Sequence, residues 1–175
     1  MEMVLGNRKI GPEHPPIVVA EIGINHGGCL NVAKNMVLVA AQAGAECIKH
    51  QTHFVEDEMT EEAKSIYPPN ADMSIWEVME QCSLTADEEI QLKRYANELN
   101  LIYISTPFSR KAANFLHEID IPAFKIGSGE VDNLPLIKHI AGFGRPVILS
   151  TGMQKVEGVR PAVEILRSAA VPFAL

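Results

Sequence analysis

The 175-residue sequence predicts an α/β protein built on a parallel sheet. Three observations predict it. Short apolar runs rich in β-branched residues recur along the chain. Segments with helical periodicity lie between them. Each run also finishes on polar residues at an equivalent point. Strands alternating with helices of this length form right-handed βαβ units, which place the strands side by side and parallel.

Five runs read as strands: residues 17–23 (IVVAEIG), 47–53 (CIKHQTH), 101–108 (LIYISTPF), 123–129 (AFKIGSG) and 146–152 (PVILSTG). The final VPFAL reads as the start of a sixth. Helical segments follow them. Residues 31–43 repeat Ala, Val, Leu and Met at helical spacing and stop at Gly44, while 85–100 open with Thr85 as N-cap and acidic residues in the first turn. Residues 109–119, 134–143 and 156–170 complete the set. One connection breaks the rhythm: about thirty residues, 54–84, separate the second strand from the next helix. A loop that long is usually functional or disordered, and following a strand it lies on the C-terminal face of the sheet, where α/β proteins bind ligands. Its acidic cluster (Glu56, Asp57, Glu58, Glu61, Glu62) is expected to be a solvated helical face. Trp76 is expected to be a packing anchor.

Composition is that of a globular domain, 47% apolar, with a net charge of −7. That balance argues against a nucleic-acid partner, since no basic stripe can follow a phosphate backbone. The N-terminal MEMVLGNRKIGPEH has no apolar signal region, and no run is long enough to span a membrane. Cys29, Cys47 and Cys82 fit neither a zinc pair nor a disulfide framework; reduced thiols in a cytoplasm are the simplest reading.

The strand ends carry the chemistry. They present Glu21, then Lys49 and Gln51, then Ser105 and Thr106, then Lys125 and Ser128, then Ser150 and Thr151. One buried polar group means little, because most are structural hydrogen-bonders. Consecutive cases at equivalent positions converge on one site, in a barrel or in a doubly wound sheet. Lys49 and Gln51 are two apart, so they share a face. Two lysines among hydroxyls make a receptor for a small, multiply charged anion, and burying them without one is costly. Gly127-Ser128-Gly129 could open a dinucleotide fingerprint, but Asp132 stands where its third glycine would fall. The glycine turn could instead offer its amides to a phosphate beside Ser128. His26 and His53 lie just past strand ends, where acid–base or metal duty is conceivable, but without a second ligand nearby a plain hydrogen-bonding role is simpler. His14, His117 and His139 read as surface or loop residues.

Stretches spread over nearly the whole chain resemble the N-acetylneuraminate synthase family, in a bacterial-type form: AEIGINHGG (20–28), KHQTHFVEDEMT (49–60), ISTPFSR (104–110), KIGSGE (125–130) and ILSTGM (148–153). The resemblance implies a (β/α)8 barrel that condenses phosphoenolpyruvate with N-acetylmannosamine, giving N-acetylneuraminate and phosphate. Related synthases make legionaminate or pseudaminate instead. It also implies that Lys49, Thr106, Lys125, Ser128 and Ser150 grip phosphoenolpyruvate, that Gln51 and Glu130 face the amino sugar, and that Glu21 is a carboxylate near the reacting centre. A divalent metal, Mn or Mg, and a homodimer are implied as well.

Against that pattern, residues 1–175 supply five strands and the start of a sixth, whereas eight strands need roughly 200 residues or more. An incomplete barrel is therefore expected. The family's metal-binding histidines are expected beyond Leu175, as is its C-terminal antifreeze-like domain. Unpaired edge strands predict low solubility or self-association, and leave open a catalytically silent binding module.

Overall fold

The computed structural model describes residues 2–69 and 71–175. Its main sheet has six strands: β3 (Val19–Gly23), β4 (Cys47–Thr52), β5 (Ile102–Pro107), β6 (Phe124–Ile126), β7 (Val147–Leu149) and β8 (Phe173–Ala174). Every pairing is parallel, and spatial order equals chain order. A doubly wound sheet reverses its strand order partway, whereas a barrel never does. The unbroken order therefore selects the barrel type, left incomplete between β8 and β3 among the described residues.

Helices α1 (Leu30–Gln42), α4 (Ala86–Glu98), α5 (Arg110–Glu118), α6 (Leu134–Ala141) and α7 (Val156–Ser168) follow successive strands. They cover the outward face, where Ile48, Tyr103, Phe124, Ile126, Val147 and Leu149 join helix residues such as Leu92, Leu116 and Leu166 in the main core. The expected cap of α4 forms in full: the Glu88 N–H donates to Thr85 Oγ1, and the Thr85 N–H donates to Glu88 Oε2 at 2.9 Å. Such a box satisfies two otherwise unpaired amides.

Two features depart from the expected elements. The N-terminal segment folds into a hairpin, β1 (Met3–Leu5) and β2 (Arg8–Ile10), with Met3 opposite Ile10. Its two-residue Gly6-Asn7 loop is a recognisable hairpin signal. Leu5, fully buried, packs with Cys47, Ile104 and Ala123 and closes the N-terminal end of the barrel interior.

The second departure is the 54–84 excursion, which is not a bare loop. It holds α2 (Val55–Glu58), a 3-10 turn (Glu61–Ser65) and α3 (Ile75–Cys82), around a small core of Val55, Ala63 and Trp76. Trp76 anchors it, with Lys64 Nζ 4.4 Å from the ring centroid. Glu58 leaves the expected solvated face: its side chain is only 4% exposed, because His53 draws it inward.

The end of α3 docks on the turn after β3. Gly28 has φ +74°, and a Cβ there would sit 2.0 Å from the Gln81 carbonyl oxygen. Gly28→Ala should therefore cost about 2 kcal/mol or more, through both backbone strain and displaced docking. Urea unfolding measures this, and a wild-type midpoint would refute it.

Candidate active site

Alternation along the strands sorts side chains between helices and barrel interior. On β4, Cys47, Lys49 and Gln51 face inward while Ile48, His50 and Thr52 face the helices. The interior is layered: an apolar floor of Leu5, Cys47, Ile104 and Ala123 lies beneath the polar residues nearer the strand ends. The floor separates the polar layer from the N-terminal end of the strands.

Register aligns Glu21 with Lys49, and Gln51 with Thr106. Lys49, 8% exposed, puts its Nζ 3.6 Å from Glu21 Oε1, on a carboxylate that is 60% exposed. Lys125 Nζ donates to Ser150 Oγ at 2.6 Å and to the Ile126 carbonyl at 3.4 Å. Burial lowers the Lys125 pKa, the neighbouring Lys49 charge lowers it further, and Glu21 acts in the opposite sense. Lys49, Lys125 and Glu21 thus act on one another's charge near the strand ends.

The hydroxyls stand around them. Thr106 Oγ1 is buried and has no hydrogen-bond partner among the described residues. Ser128 and Ser150 lie one or two residues past β6 and β7 rather than inside the strands, which end at Ile126 and Leu149. Ser128 joins a 3-10 turn (Ser128–Glu130), and Gly152 lies close enough that a Cβ there would meet Ser128 Oγ at 3.8 Å. Glu130 is held differently: its Oε2 accepts from Asn133 Nδ2 at 2.8 Å, and it makes no hydrogen bond to the other candidates.

The histidines form two separate devices. His53 Nδ1 donates to Glu58, 2.9 and 3.1 Å from its two oxygens, and the ring stacks on Phe108 at 4.4 Å. This pins the start of the excursion to the end of β5. His26 belongs to a buried chain with His50 and Glu89, two residues that the strand-end reading passed over. A signal for each was present. His50 has the outward parity in KHQT, and Glu89 shares a helical stripe with Leu92 and Ala96, all buried. Burial first, and the His50 charge second, hold the His26 pKa down at about 4; the Gly23 carbonyl, Glu89 and Glu88 oppose this. An unfolded histidine near 6.5 binds a proton that folded His26 refuses, so its contribution to stability is complete above that value. It is lost as pH falls toward 4, by up to about 3 kcal/mol. Thermal melts from pH 7 to 4 should show the decline, with a flatter profile for His26→Gln.

All three cysteines are free, and burial pushes the Cys47 thiol up to about 12. No helix among the described residues is long and apolar enough to cross a membrane. Among the described residues no group of three or more His, Cys, Asp or Glu stands at metal-binding spacing.

A parallel sheet in unbroken barrel order, with Lys49, Lys125 and Ser150 near the C-terminal ends of its strands, defines a barrel-type α/β domain, and comparison makes the assignment specific. The chain belongs to the NeuB family, whose model matches residues 36–174. It is 33% identical over 165 residues to human N-acetylneuraminate-9-phosphate synthase, covering 91% of the chain and 45% of that protein. It is 32% identical over 154 residues to the N,N'-diacetyllegionaminic acid synthase of Campylobacter jejuni, covering 86% of the chain and 46% of the relative. The solved sialic acid synthetase of Leptospira borgpetersenii, in complex with citrate, superposes with a TM-score of 0.88 at 32% identity, over 99% of this chain and 57% of that one. The chain spans about half the length of the curated relatives it matches.

Proposed function

We infer that this chain supplies the phosphoenolpyruvate half of a synthase condensing that compound with an N-acetylated amino sugar, N-acetylmannosamine in the first instance. The observation that carries the reading is the convergence of Lys49, Lys125 and Ser150 with Glu21 above an apolar floor. Two neighbouring ammoniums disfavour one another until an anion lies between them, and phosphoenolpyruvate brings both a carboxylate and a phosphate. Thr106 Oγ1 and Ser128 add donors, and Gln51 and Glu130 lie toward the sugar side.

In this reading the methylene carbon of the enol attacks the sugar aldehyde, forming the new C–C bond. Water adds to the adjacent carbon, and the tetrahedral intermediate expels phosphate by C–O cleavage. The lysines hold the reactants in line and offset charge on carboxylate and phosphate. Glu21, exposed at the mouth beside Lys49, is placed to take the proton of the incoming water. A cytoplasmic homodimer is part of the same proposal.

The amino sugar is the open variable, because relatives are named for neuraminic, legionaminic and pseudaminic acids. The complete gene product carrying this chain should release phosphate only when phosphoenolpyruvate, a divalent cation and one amino sugar from a panel are all present. Phosphoenolpyruvate binding without turnover on any sugar would favour a silent binding module and overturn the synthase reading.

A further inference from the structure

Behind the ligand-facing side of β4 and β5, beneath α4, lies a polar chain that the reaction above does not use. Glu89 is 2% exposed and His50 1%. Glu89 Oε1 accepts from Thr52 Oγ1 at 2.6 Å and from Tyr103 OH at 3.0 Å, and stands 3.3 Å from His50 Nδ1. Across the His50 ring, its Nε2 meets His26 Nε2 at 3.0 Å. His26 Nδ1 in turn accepts the Gly28 N–H at 3.2 Å.

These contacts assign the protons. His26 Nδ1 is an acceptor, so the neutral ring carries its proton on Nε2 and donates to His50 Nε2. His50 is then left with its proton on Nδ1, which it donates to the Glu89 carboxylate. The chain has one direction, from the Gly28 amide through His26 and His50 to Glu89.

Its two ends hold different parts of the protein. Glu89 ties α4 to β4 and β5. His26 sits in the turn after β3, which begins at Gly23, paired with His50 in the register. A Cβ on Gly23 would lie 3.6 Å from Gln51 Oε1, so this turn forms a wall against the Gln51 amide. Of the phosphoenolpyruvate residues, Lys125, Ser128 and Ser150 stand on or after β6 and β7, which no member of the chain contacts through a hydrogen bond, whereas Lys49 and Thr106 share β4 and β5 with it but have the opposite, inward parity.

Resting on the synthase reading, we propose that His26 and His50 are positioning residues for the amino sugar: by seating the 23–28 turn they set the pose of Gln51, while the phosphoenolpyruvate grip, anchored by Lys125, Ser128 and Ser150 on other strands and by the inward-facing Lys49, does not depend on that turn. A displaced positioning group loses rate and affinity steeply with distance. The consequence is a split between the two substrates, which a general loss of folding would not produce.

The test uses steady-state kinetics on the complete gene product. His26→Ala removes the link to the turn, and His50→Phe removes both links while keeping a ring in the space. Each should raise the KM for the amino sugar about tenfold and leave that for phosphoenolpyruvate within about twofold. His26→Gln, whose amide can accept from Gly28 and donate to His50, should restore most of the loss. Equal rises in both KM values, or no rise in either, overturn the proposal. Nitrogen-15 spectra of the histidine rings test the chain without any substrate: the His50 proton is expected on Nδ1, and a spectrum placing it on Nε2 refutes the assignment. Failure of the unaltered protein to turn over any amino sugar would instead sink the synthase reading, so the two failures are distinguishable.

Discussion

Lys49→Met is expected to weaken phosphoenolpyruvate binding by at least about a hundredfold, the loss of a charge-assisted contact inside a water-poor site. The effect on stability should have the opposite sign or be absent. Lys49 is almost buried and lowers the pKa of Lys125, so in the free protein the two cations disfavour each other. Its one carboxylate partner, Glu21, is 60% exposed and offsets little. Methionine fills similar space without the charge. Calorimetric titration with phosphoenolpyruvate, paired with thermal unfolding, measures both quantities. Retained affinity would refute the anion-receptor reading, whereas joint loss of affinity and fold would make Lys49 a structural residue.

The largest loss of stability is expected from Glu89→Leu, about 3–5 kcal/mol. Glu89 has nearly no solvent contact, yet it serves as acceptor for Thr52, Tyr103 and His50 at once. Removing it takes an acceptor from three buried donors, each of which is hydrated in the unfolded chain. Thr52 keeps a partner in Ser105 Oγ at 2.7 Å, whereas Tyr103 OH and His50 Nδ1 keep none of comparable quality. Burial first, and then the same carboxylate, raise the Tyr103 pKa well above its ordinary value, so the phenol stays a donor at any working pH. Glu89→Gln retains one acceptor oxygen and should cost clearly less. Urea denaturation checks the order; a loss under about 1 kcal/mol for the leucine variant would show that the network contributes little.

Several elements were legible because local rules and tertiary demands agree. The second strand, CIKHQT, is β-branched or apolar at its start and polar at its end, and it folds as Cys47–Thr52. The Thr85 cap begins α4 where the capping pattern places it. By contrast, Ser128 and Ser150 read as strand residues but lie past the strand ends, because glycine-rich KIGSGE turns into a 3-10 turn and pairing stops at Ile126 and Leu149. The hairpin at Met3–Ile10 went unread although its Gly-Asn loop was in view, since three-residue strands carry too little periodicity to stand out.

Alternation of apolar runs with amphipathic segments was enough to determine a parallel α/β layout, and polar strand ends were enough to nominate Glu21, Lys49, Thr106, Lys125 and Ser150 as a candidate site. Those are properties of the chain taken a few residues at a time. Ser105, nominated with the same residues, instead bonds Thr52 on the helix-facing side. The resemblance to the synthase family added the barrel order; only the assembled molecule decided that Glu58 turns inward to His53 and that Glu89 reaches His50 across 39 positions of sequence. The reason is physical: a buried charge is tolerable only where several distant groups meet it together, and which groups those are depends on how helices pack on strands.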